Sequence, residues 1–155
     1  KKPEIVINLQ GDMPNLNPLT IKMLVEYMKN KLCDVGTLAS SLDQEKEKKD
    51  PNVCKVVTKK DIIQSKFDTA IDFYRLSKEL STDFIYHHIG IYAFTNKALI
   101  RYVSLKRSKL EIERKLEQLR ALENGMKIHV GYIDNCPLSV DTDKDLFEIK
   151  KMMES

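Results

Sequence analysis

Glycine is scarce in this sequence and is nowhere clustered. The five glycines are dispersed along the 155 residues, at Gly11, Gly36, Gly90, Gly125 and Gly131. No glycine-rich loop can therefore cradle a triphosphate as the Walker loop of nucleotide-binding proteins does. The sequence also lacks a nucleophile elbow and a zinc-binding helix motif. The missing glycine-rich loop counts against a complete nucleotide-binding enzyme in this chain.

Cysteine pairs and long apolar runs are also missing. Cys33, Cys54 and Cys136 are odd in number and form neither a CxxC pair nor a zinc-binding spacing. We therefore expect buried, reduced cysteines in a cytoplasmic protein. No apolar run approaches the ~18–20 residues that span a membrane, and the sequence shows no signal-peptide pattern. The sequence therefore predicts no membrane partner.

Neither sign of charge dominates. The 26 basic and 23 acidic residues are intermixed and leave a net charge of +3, which argues against a nucleic-acid partner. Residues 43–50 are all polar or charged with alternating signs, so they predict a solvated helix or loop rather than a basic patch. The length and the 42% hydrophobic content predict one globular domain over residues 1–155.

Strand-like and helix-like patterns alternate along the chain. Strands are predicted over residues 4–9, 34–40, 53–59, 68–75, 87–95 and 127–133. Helices are predicted over residues 17–31, 96–103 and 109–124, with a last helix from about Thr142. The helix at 109–124 should bury Ile112, Leu116 and Leu119 and end at Gly125 as a left-handed cap. The alternation favours a three-layer α/β domain with a mixed, largely parallel sheet.

Two aspartates occupy positions that suit a metal ion. The first predicted strand ends in the corner Gln10-Gly11-Asp12, and ligands of open α/β sheets bind beyond the carboxyl ends of strands. Asp141 precedes the last predicted helix, and it could converge with Asp12 on one Mg²⁺. The alternatives are an ordinary turn for Asp12 and, for Asp141, helix-terminus electrostatics worth about 0.3–1 kcal/mol.

Other polar residues could contact an organic ligand. His88 shares a strand face with Gly90 and Tyr92, and this small residue between polar aromatics leaves room for a ligand; a hydrogen-bonded structural histidine is the alternative. Arg75 ends a strand and could bind a carboxylate ligand in bidentate fashion or pair with a neighbouring acidic residue. The pair 117–118 lies opposite the apolar stripe of its helix and faces either solvent or a sugar.

Four sequence runs together resemble those of the 3-deoxy-manno-octulosonate cytidylyltransferases. These enzymes are also called CMP-Kdo synthetases, and Kdo is the acid sugar 3-deoxy-manno-octulosonate. The runs are Asn8-Leu9-Gln10-Gly11-Asp12-Met13-Pro14, His88-Ile89-Gly90-Ile91-Tyr92, Leu116-Glu117-Gln118-Leu119-Arg120 and Val140-Asp141-Thr142. The resemblance covers essentially the whole chain. It implies a three-layer, nucleotide-diphospho-sugar-transferase-like α/β fold, usually dimeric. It also implies an enzyme that joins Kdo to CTP with Mg²⁺, giving CMP-Kdo and pyrophosphate for lipopolysaccharide synthesis.

The resemblance also implies roles for single residues. Asp12 and Asp141 would be the catalytic, metal-binding aspartates. The residues implied to line the Kdo pocket are Gln10, Arg75, His88, Tyr92, Glu117 and Gln118. Arg75 suits the Kdo carboxylate, and His88 suits its hydroxyls together with the pair 117–118. The implied reaction is in-line attack of the anomeric hydroxyl on the α-phosphorus of CTP, with the metal activating that hydroxyl.

Departures from the family pattern shape the expected activity. Family members normally begin with a strand and a basic, glycine-containing loop that holds the CTP triphosphate, and this chain has no such segment. The chain is also shorter than the family norm between Arg75 and His87, and Met13, Ser139 and Asp143 replace the usual Glu, Gly and Pro. We therefore expect the C-terminal portion of a synthetase, lacking the N-terminal nucleotide-binding segment. That segment is either left out of this polypeptide, removed by proteolysis or encoded as a separate chain.

Two rival interpretations follow from the same pattern. One is a catalytically silent remnant that acts as a sugar-binding or dimerisation module. The other, a sialic acid cytidylyltransferase, is disfavoured because that family lacks the Gln-Gly-Asp corner seen at residues 10–12. A sheet without its first strands would expose an edge and apolar helix faces, so the sequence predicts marginal stability, aggregation or oligomerisation.

Overall fold

A mixed β-sheet forms the centre of the computed structural model, and helices pack on both of its faces. The structure describes residues 2–30, 32–43, 46–76, 84–140 and 143–153. The strands are β1 (Ile5–Asn8), β2 (Val35–Ser40), β3 (Lys55–Thr58), β4 (Phe67–Tyr74), β5 (Ile85–Thr95) and β6 (Ile128–Tyr132). The helices are α1 (Pro18–Asn30), α2 (Ile62–Ser65), α3 (Asn96–Ser104), α4 (Lys109–Arg114), α5 (Gln118–Glu123) and α6 (Asp143–Met153).

The strand directions differ from the expected ones. The sheet order is β1-β5-β2-β6-β4-β3, and among the pairings of the described strands only β2 with β6 is parallel. The mixed sheet is confirmed, but the prediction of largely parallel strands was wrong. Parallel neighbours need a crossover of about a dozen residues or more, whereas residues 59–66 alone join β3 to β4. This short link requires the antiparallel pairing that the two strands adopt.

Strand β5 organises the sheet. One of its edges pairs with β2, while the other pairs with β3 through residues 85–87 and with β1 through residues 92–95. Between those two stretches, the second edge has no strand partner in the described part of the chain. The backbone after β1 passes this gap, where the Met13 side chain reaches within 3.7 Å of the position a Cβ would take on Gly90. The candidate functional site lies beside this gap.

The helices cover the two faces of the sheet and confirm the three layers. Leu24 and Met28 of α1 pack on one face against β2 and β5. The helix approaches closely because residue 36 is glycine: a Cβ there would lie 2.8 Å from the Met28 sulfur. Helices α3 and α5 pack on the other face, where Ala98 and Leu119 join the larger apolar cluster.

The predicted helix over 109–124 is broken in two. Lys115 adopts a left-handed backbone conformation, with φ 54° and ψ 43°, and separates α4 from α5. Leu116 and Leu119 are buried as expected, but Ile112 is 56% exposed, so its assignment to the buried stripe was wrong. The buried position in α4 belongs instead to Glu111, which pairs with Arg120 of α5 at 2.6 Å.

Other expectations met mixed outcomes. Gly125 has φ 68° and confirms the left-handed cap. All three cysteines are free, but Cys54 is only partly buried and Cys136 is exposed, which contradicts the expected burial. The predicted helix start at Thr142 lies outside the described residues. No helix in the described ranges is long and apolar enough to cross a membrane.

An apolar cavity borders the edge strand β1. It measures about 350 Å³ and lies between β1, α3 and α5, with Val6, Ile7, Leu99 and Val103 in its wall. Ile100 and Val103 of α3 are both more than half exposed. An exposed strand edge beside apolar helix residues is what the sequence predicts. The marginal stability or oligomerisation expected from it stays a prediction.

Candidate active site

A cleft of about 730 Å³ opens beside the gap in the β5 edge. Its walls include every predicted site residue except Asp141, namely Gln10, Asp12, Arg75, His88, Tyr92, Glu117 and Gln118. They come from the loop after β1, the end of β4, the middle of β5 and the turn between α4 and α5. Asp141 lies outside the described residues. The fold thus gathers side chains that are more than 100 positions apart in the sequence.

His88 sits on the floor of the cleft as a buried, neutral imidazole. Its Nε2 lies 2.9 Å from Thr37 Oγ1, whose hydroxyl is also 2.7 Å from the carbonyl oxygen of Ile91. A carbonyl oxygen can only accept, so the Thr37 hydroxyl donates to it and accepts from Nε2–H of His88. In the neutral ring, Nδ1 is then the hydrogen-bond acceptor. Burial, with smaller contributions from His87 and Arg75, lowers the pKa of His88 to about 3.

Aromatic rings hold the His88 ring in place. Phe73 meets it edge-on at 5.1 Å between centroids, and Tyr92 lies 5.6 Å away on the same strand face. Tyr92 is itself buried, and this burial raises the pKa of its phenol well above the ordinary value. Its hydroxyl is therefore a protonated hydrogen-bonding group.

The break at Lys115 turns the chain so that residues 117 and 118 face different surroundings. Gln118 is buried, and its amide nitrogen donates to Cys54 Sγ at 3.5 Å. Glu117 is exposed at the rim of the cleft. The sequence left both facing either solvent or a ligand; the structure makes Gln118 part of the wall and leaves only Glu117 open to solvent.

Arg75 binds backbone oxygens on the opposite wall. Its guanidinium nitrogen NH1 donates to the carbonyl oxygen of Asn52 and more weakly to that of Pro51, at 3.4 Å. Among the described residues no carboxylate forms an ion pair with it. Within the described ranges, Arg75 therefore does not pair with a neighbouring acidic residue, which was the alternative interpretation.

Lys55 supports the same wall from inside the sheet. Its side chain is fully buried, and Nζ donates to the carbonyl oxygens of Asp50, Val53 and Arg75 at 2.6, 2.8 and 2.8 Å. Burial lowers the pKa of this ammonium group, while the Asp50 carboxylate opposes that effect. Three carbonyl partners satisfy all three N–H donors of the charged form.

Asp12 carries an incompletely satisfied carboxylate. Its Oδ2 accepts from the Ser139 hydroxyl at 3.2 Å, and its backbone carbonyl accepts from Val140 N–H at 2.9 Å. Its Oδ1 is buried and has no hydrogen-bond partner within the described residues. No three His, Cys, Asp or Glu side chains of the described ranges form a metal-binding group. Asp12 alone is therefore not a complete cation site.

A second polar group lies at the mouth of the cleft. His87 Nδ1 is 3.0 Å from a Glu47 carboxylate oxygen, and Cys136 lies near enough to the ring to affect its pKa. Burial lowers the pKa of His87, but the contacts with Cys136 and Glu47 outweigh it, and the pKa is raised overall. This group joins loop 46–53 to the segment that carries Ser139.

Sequence reasoning missed Thr37, Lys55, Glu47 and Cys136 as parts of this region. Thr37 and Lys55 did leave a signal, because each is a polar residue inside a predicted buried strand. Glu47 and Cys136 left none, since both lie in irregular segments that only the fold brings to His87.

Sequence comparisons relate the chain to cytidylyltransferases. A family model described as cytidylyltransferase matches residues 1–128. A Bartonella tribocorum protein named 3-deoxy-manno-octulosonate cytidylyltransferase is 42% identical over 148 residues, which cover 96% of this chain and 60% of that protein. A Sinorhizobium medicae protein of the same name is 43% identical over 152 residues, with coverages of 98% and 60%. The chain spans about 60% of the length of these curated relatives.

Solved structures confirm the fold. A structure described as CMP:2-keto-3-deoxy-manno-octonic acid synthetase complexed with CTP matches with a TM-score of 0.87 and 28% identity. The match covers 99% of this chain and 63% of that one. An apo UDP-glucose pyrophosphorylase matches with a TM-score of 0.64, covering 97% and 54%, and at 13% identity it is informative about the fold alone. The predicted nucleotide-diphospho-sugar-transferase-like architecture is thereby confirmed.

Proposed function

Because the chain belongs to the cytidylyltransferase family, we propose that its cleft binds Kdo and takes part in transferring a cytidylyl group from CTP to this sugar, with release of pyrophosphate. The observation that carries the proposal is the composition of the cleft. A guanidinium without a carboxylate partner among the described residues, a neutral histidine and a buried amide surround one cavity. Kdo combines a carboxylate with several hydroxyls, which these groups can bind.

Arg75 is proposed to bind the Kdo carboxylate. Backbone carbonyls hold one of its nitrogens, NH1, and the guanidinium has further N–H donors in the same plane. A carboxylate can accept two of these in parallel, and such charge-assisted bonds are about twice as strong as neutral ones. The carbonyl contacts hold the guanidinium in place before the ligand arrives.

His88 and Gln118 are proposed to bind sugar hydroxyls. Since Nε2–H of His88 is engaged by Thr37, Nδ1 can accept a hydrogen bond from a hydroxyl. Gln118 donates one N–H to Cys54, which leaves its other N–H and its carbonyl oxygen for a ligand. Gln10, Tyr92 and Glu117 complete the proposed sugar-binding set.

Asp12 fits a site for a hard divalent cation, which we propose to be Mg²⁺. A buried carboxylate oxygen without a partner is the kind of group that such an ion satisfies. Asp141 is the proposed second ligand, on the strength of the resemblance alone. A bound ion would neutralise phosphate charge and lower the pKa of a coordinated hydroxyl. Ser139 holds the other Asp12 oxygen and so orients the carboxylate.

Several parts of the proposal rest on resemblance and on the names of relatives. Support for CTP is the description of the matching solved structure as a CTP complex. Support for Kdo is the name shared by the relatives together with the cleft chemistry. A homodimer, a single domain over residues 1–155 and a cytoplasmic location also stay predictions.

Pyrophosphate release tests the proposal. The chain is incubated with CTP, Kdo and Mg²⁺, alone and together with the part of the Bartonella tribocorum relative that it does not match. Release in either mixture, but not with the variant Asp12→Asn, supports cytidylyl transfer. If neither mixture releases pyrophosphate and Kdo still binds, the chain is a silent sugar-binding module. If Kdo does not bind either, the proposed function is wrong.

A further inference from the structure

Lys55 is a buried charge whose position is not explained by the packing of its strand. It lies in β3, where its neighbours Val56 and Val57 are fully buried apolar residues. Burying an ammonium carries a desolvation cost that an apolar residue of similar volume would avoid. The ammonium must therefore stabilise something that an apolar side chain could not.

The three acceptors of Lys55 lie on two segments of the cleft wall. Asp50 and Val53 belong to the loop before β3, and Arg75 is the residue that follows β4. One ammonium group thus fixes the loop and the backbone of Arg75 relative to each other. The carbonyl groups of these residues cannot join the hydrogen-bond ladder of the sheet, because all three residues lie beyond the ends of β3 and β4.

The Arg75 side chain binds the same loop that Lys55 binds. Its guanidinium donates to the carbonyl oxygens of Asn52 and Pro51, which lie between the two loop acceptors of Lys55. The Arg75 carbonyl and the Arg75 guanidinium are thereby both held by contacts that depend on the conformation of residues 50–53. If the loop moves, the guanidinium loses its acceptors.

We propose that Lys55 is a positioning residue that holds the loop 50–53 and Arg75 in the arrangement that binds the carboxylate of the substrate. Lys55 itself touches no ligand, because its side chain is fully buried and all three of its donors are engaged. The inference rests on the proposed function only for the identity of the ligand. The ordering of Arg75 by Lys55 is a property of the protein alone.

The first test needs no ligand. In Lys55→Met the side chain keeps its approximate volume but can donate no hydrogen bond, and in Lys55→Gln it keeps a shorter donor. The matched control is Lys59→Met, which changes an exposed lysine just past the same strand. The measurement is the heteronuclear NOE of the Arg75 Nε–H group, with the amides of residues 56–58 as the reference for an intact fold.

We expect the Arg75 Nε–H group to be as rigid as the backbone in the wild type and in Lys59→Met. We expect it to be mobile in Lys55→Met and intermediate in Lys55→Gln, which also serves if the methionine variant does not fold. An Arg75 side chain that stays rigid in a folded Lys55 variant overturns the proposal.

The second test is a double-mutant cycle on Kdo binding, measured by calorimetry. We expect Lys55→Met to weaken binding by about tenfold or more, while Arg75→Met weakens it at least as much. The double variant should bind no more weakly than Arg75→Met alone, since Lys55 acts through Arg75. Fully additive losses overturn the proposal. If the wild type does not bind Kdo, the proposed function fails, and the NOE measurement alone decides the role of Lys55.

Discussion

Thr37 Oγ1 lies 2.9 Å from Nε2 of His88, and this contact connects the floor of the cleft on β5 to the neighbouring strand β2. The same hydroxyl donates to the carbonyl oxygen of Ile91, so one threonine sets both the tautomer and the orientation of the imidazole. The ring is therefore already in position to accept a hydrogen bond from a ligand through Nδ1.

The pKa values of the two adjacent histidines, His87 and His88, should be shifted in opposite directions. Burial lowers the pKa of His88 to about 3, whereas its contacts raise the pKa of His87 above the ordinary value of 6.5. Between about pH 6.5 and pH 3, His88 binds a proton in the unfolded chain but stays neutral in the folded chain. Acidification through this range should therefore lower the free energy of unfolding. Imidazole chemical shifts recorded against pH check the assignment. A His88 that titrates near pH 6.5 in the folded chain contradicts it.

Replacing Thr37 by valine, which has nearly the same shape but no hydroxyl, should destabilise the fold. The substitution removes the acceptor for His88 Nε2–H and the donor to Ile91, and it leaves buried polar groups unsatisfied. We expect a loss of about 1–3 kcal/mol in the free energy of unfolding, measured with urea. Thr37→Ser keeps the hydroxyl and is the matched control. Equal stability of the valine and serine variants would show that the hydroxyl contributes nothing.

Asp12→Asn should weaken metal binding while the chain stays folded. Asparagine keeps an oxygen that can accept from Ser139, so the contact between residues 12 and 139 survives. We expect the affinity for Mn²⁺, used as a spectroscopic probe for Mg²⁺ in the presence of CTP, to fall at least about tenfold. Turnover, where the wild type shows any, should be lost in Asp12→Asn and in Asp141→Asn. Wild-type metal affinity and wild-type rates in both variants would exclude the metal assignment.

Glu111 should make the turn before Gln118 sensitive to acid. The paired Arg120 guanidinium lowers the pKa of Glu111 to about 2, against an opposing effect of burial, with further contributions from Ser108 N–H and Arg107. Because the folded-state pKa is depressed, the stabilisation is present above about pH 5 and is lost as the pH falls towards 2. Glu111→Gln should cost about 2 kcal/mol at neutral pH by analogy with hydrogen bonds to charged groups.

The comparison of Glu111→Gln with the wild type decides this point. The difference in unfolding free energy should shrink as the pH is lowered through the same range. A difference that stays constant with pH would mean that the Glu111 carboxylate does not provide the stabilisation.

Much of the local structure could be predicted from the sequence. Alternation along β5 placed His88 and Tyr92 on one strand face, and the 5.6 Å between their ring centroids confirms it. This succeeds because side-chain alternation in a strand is a strictly local property. The corner at Asp12 was also placed correctly at the end of its strand, because a glycine and polar residues follow an apolar run there.

Strand direction and the helix break could not be predicted in this way. Whether β3 and β4 run antiparallel depends on which strands meet, and β5 alone pairs with three strands from different parts of the chain, β1, β2 and β3. Lys115 takes a left-handed conformation that lysine rarely prefers, so no local signal marks it. The bidentate contact of Glu111 with Arg120 across the break stabilises the turn, and this is a tertiary interaction.

The candidate site was predictable only where a motif carried it. The resemblance pointed to Arg75, His88 and Gln118, and the fold brings all three to one cleft. Their supports, Lys55 and Thr37, were missed because hydrophobic patterning treats a polar residue inside a strand as facing solvent. Both are instead fully buried, with every donor engaged by a partner that lies distant in the sequence or in an adjoining loop.

Mapping where Kdo binds tests the central claim most directly. The ¹⁵N-labelled chain is titrated with Kdo, and with a neutral sugar as control, while backbone and side-chain resonances are followed. The account predicts saturable shifts confined to the cleft, at Gln10, Arg75, His88, Tyr92 and Gln118, which the neutral sugar does not reproduce and which Arg75→Met weakens by about ten- to a hundredfold. Absence of any saturable shift, or shifts confined to the far side of the sheet around α1, would contradict it.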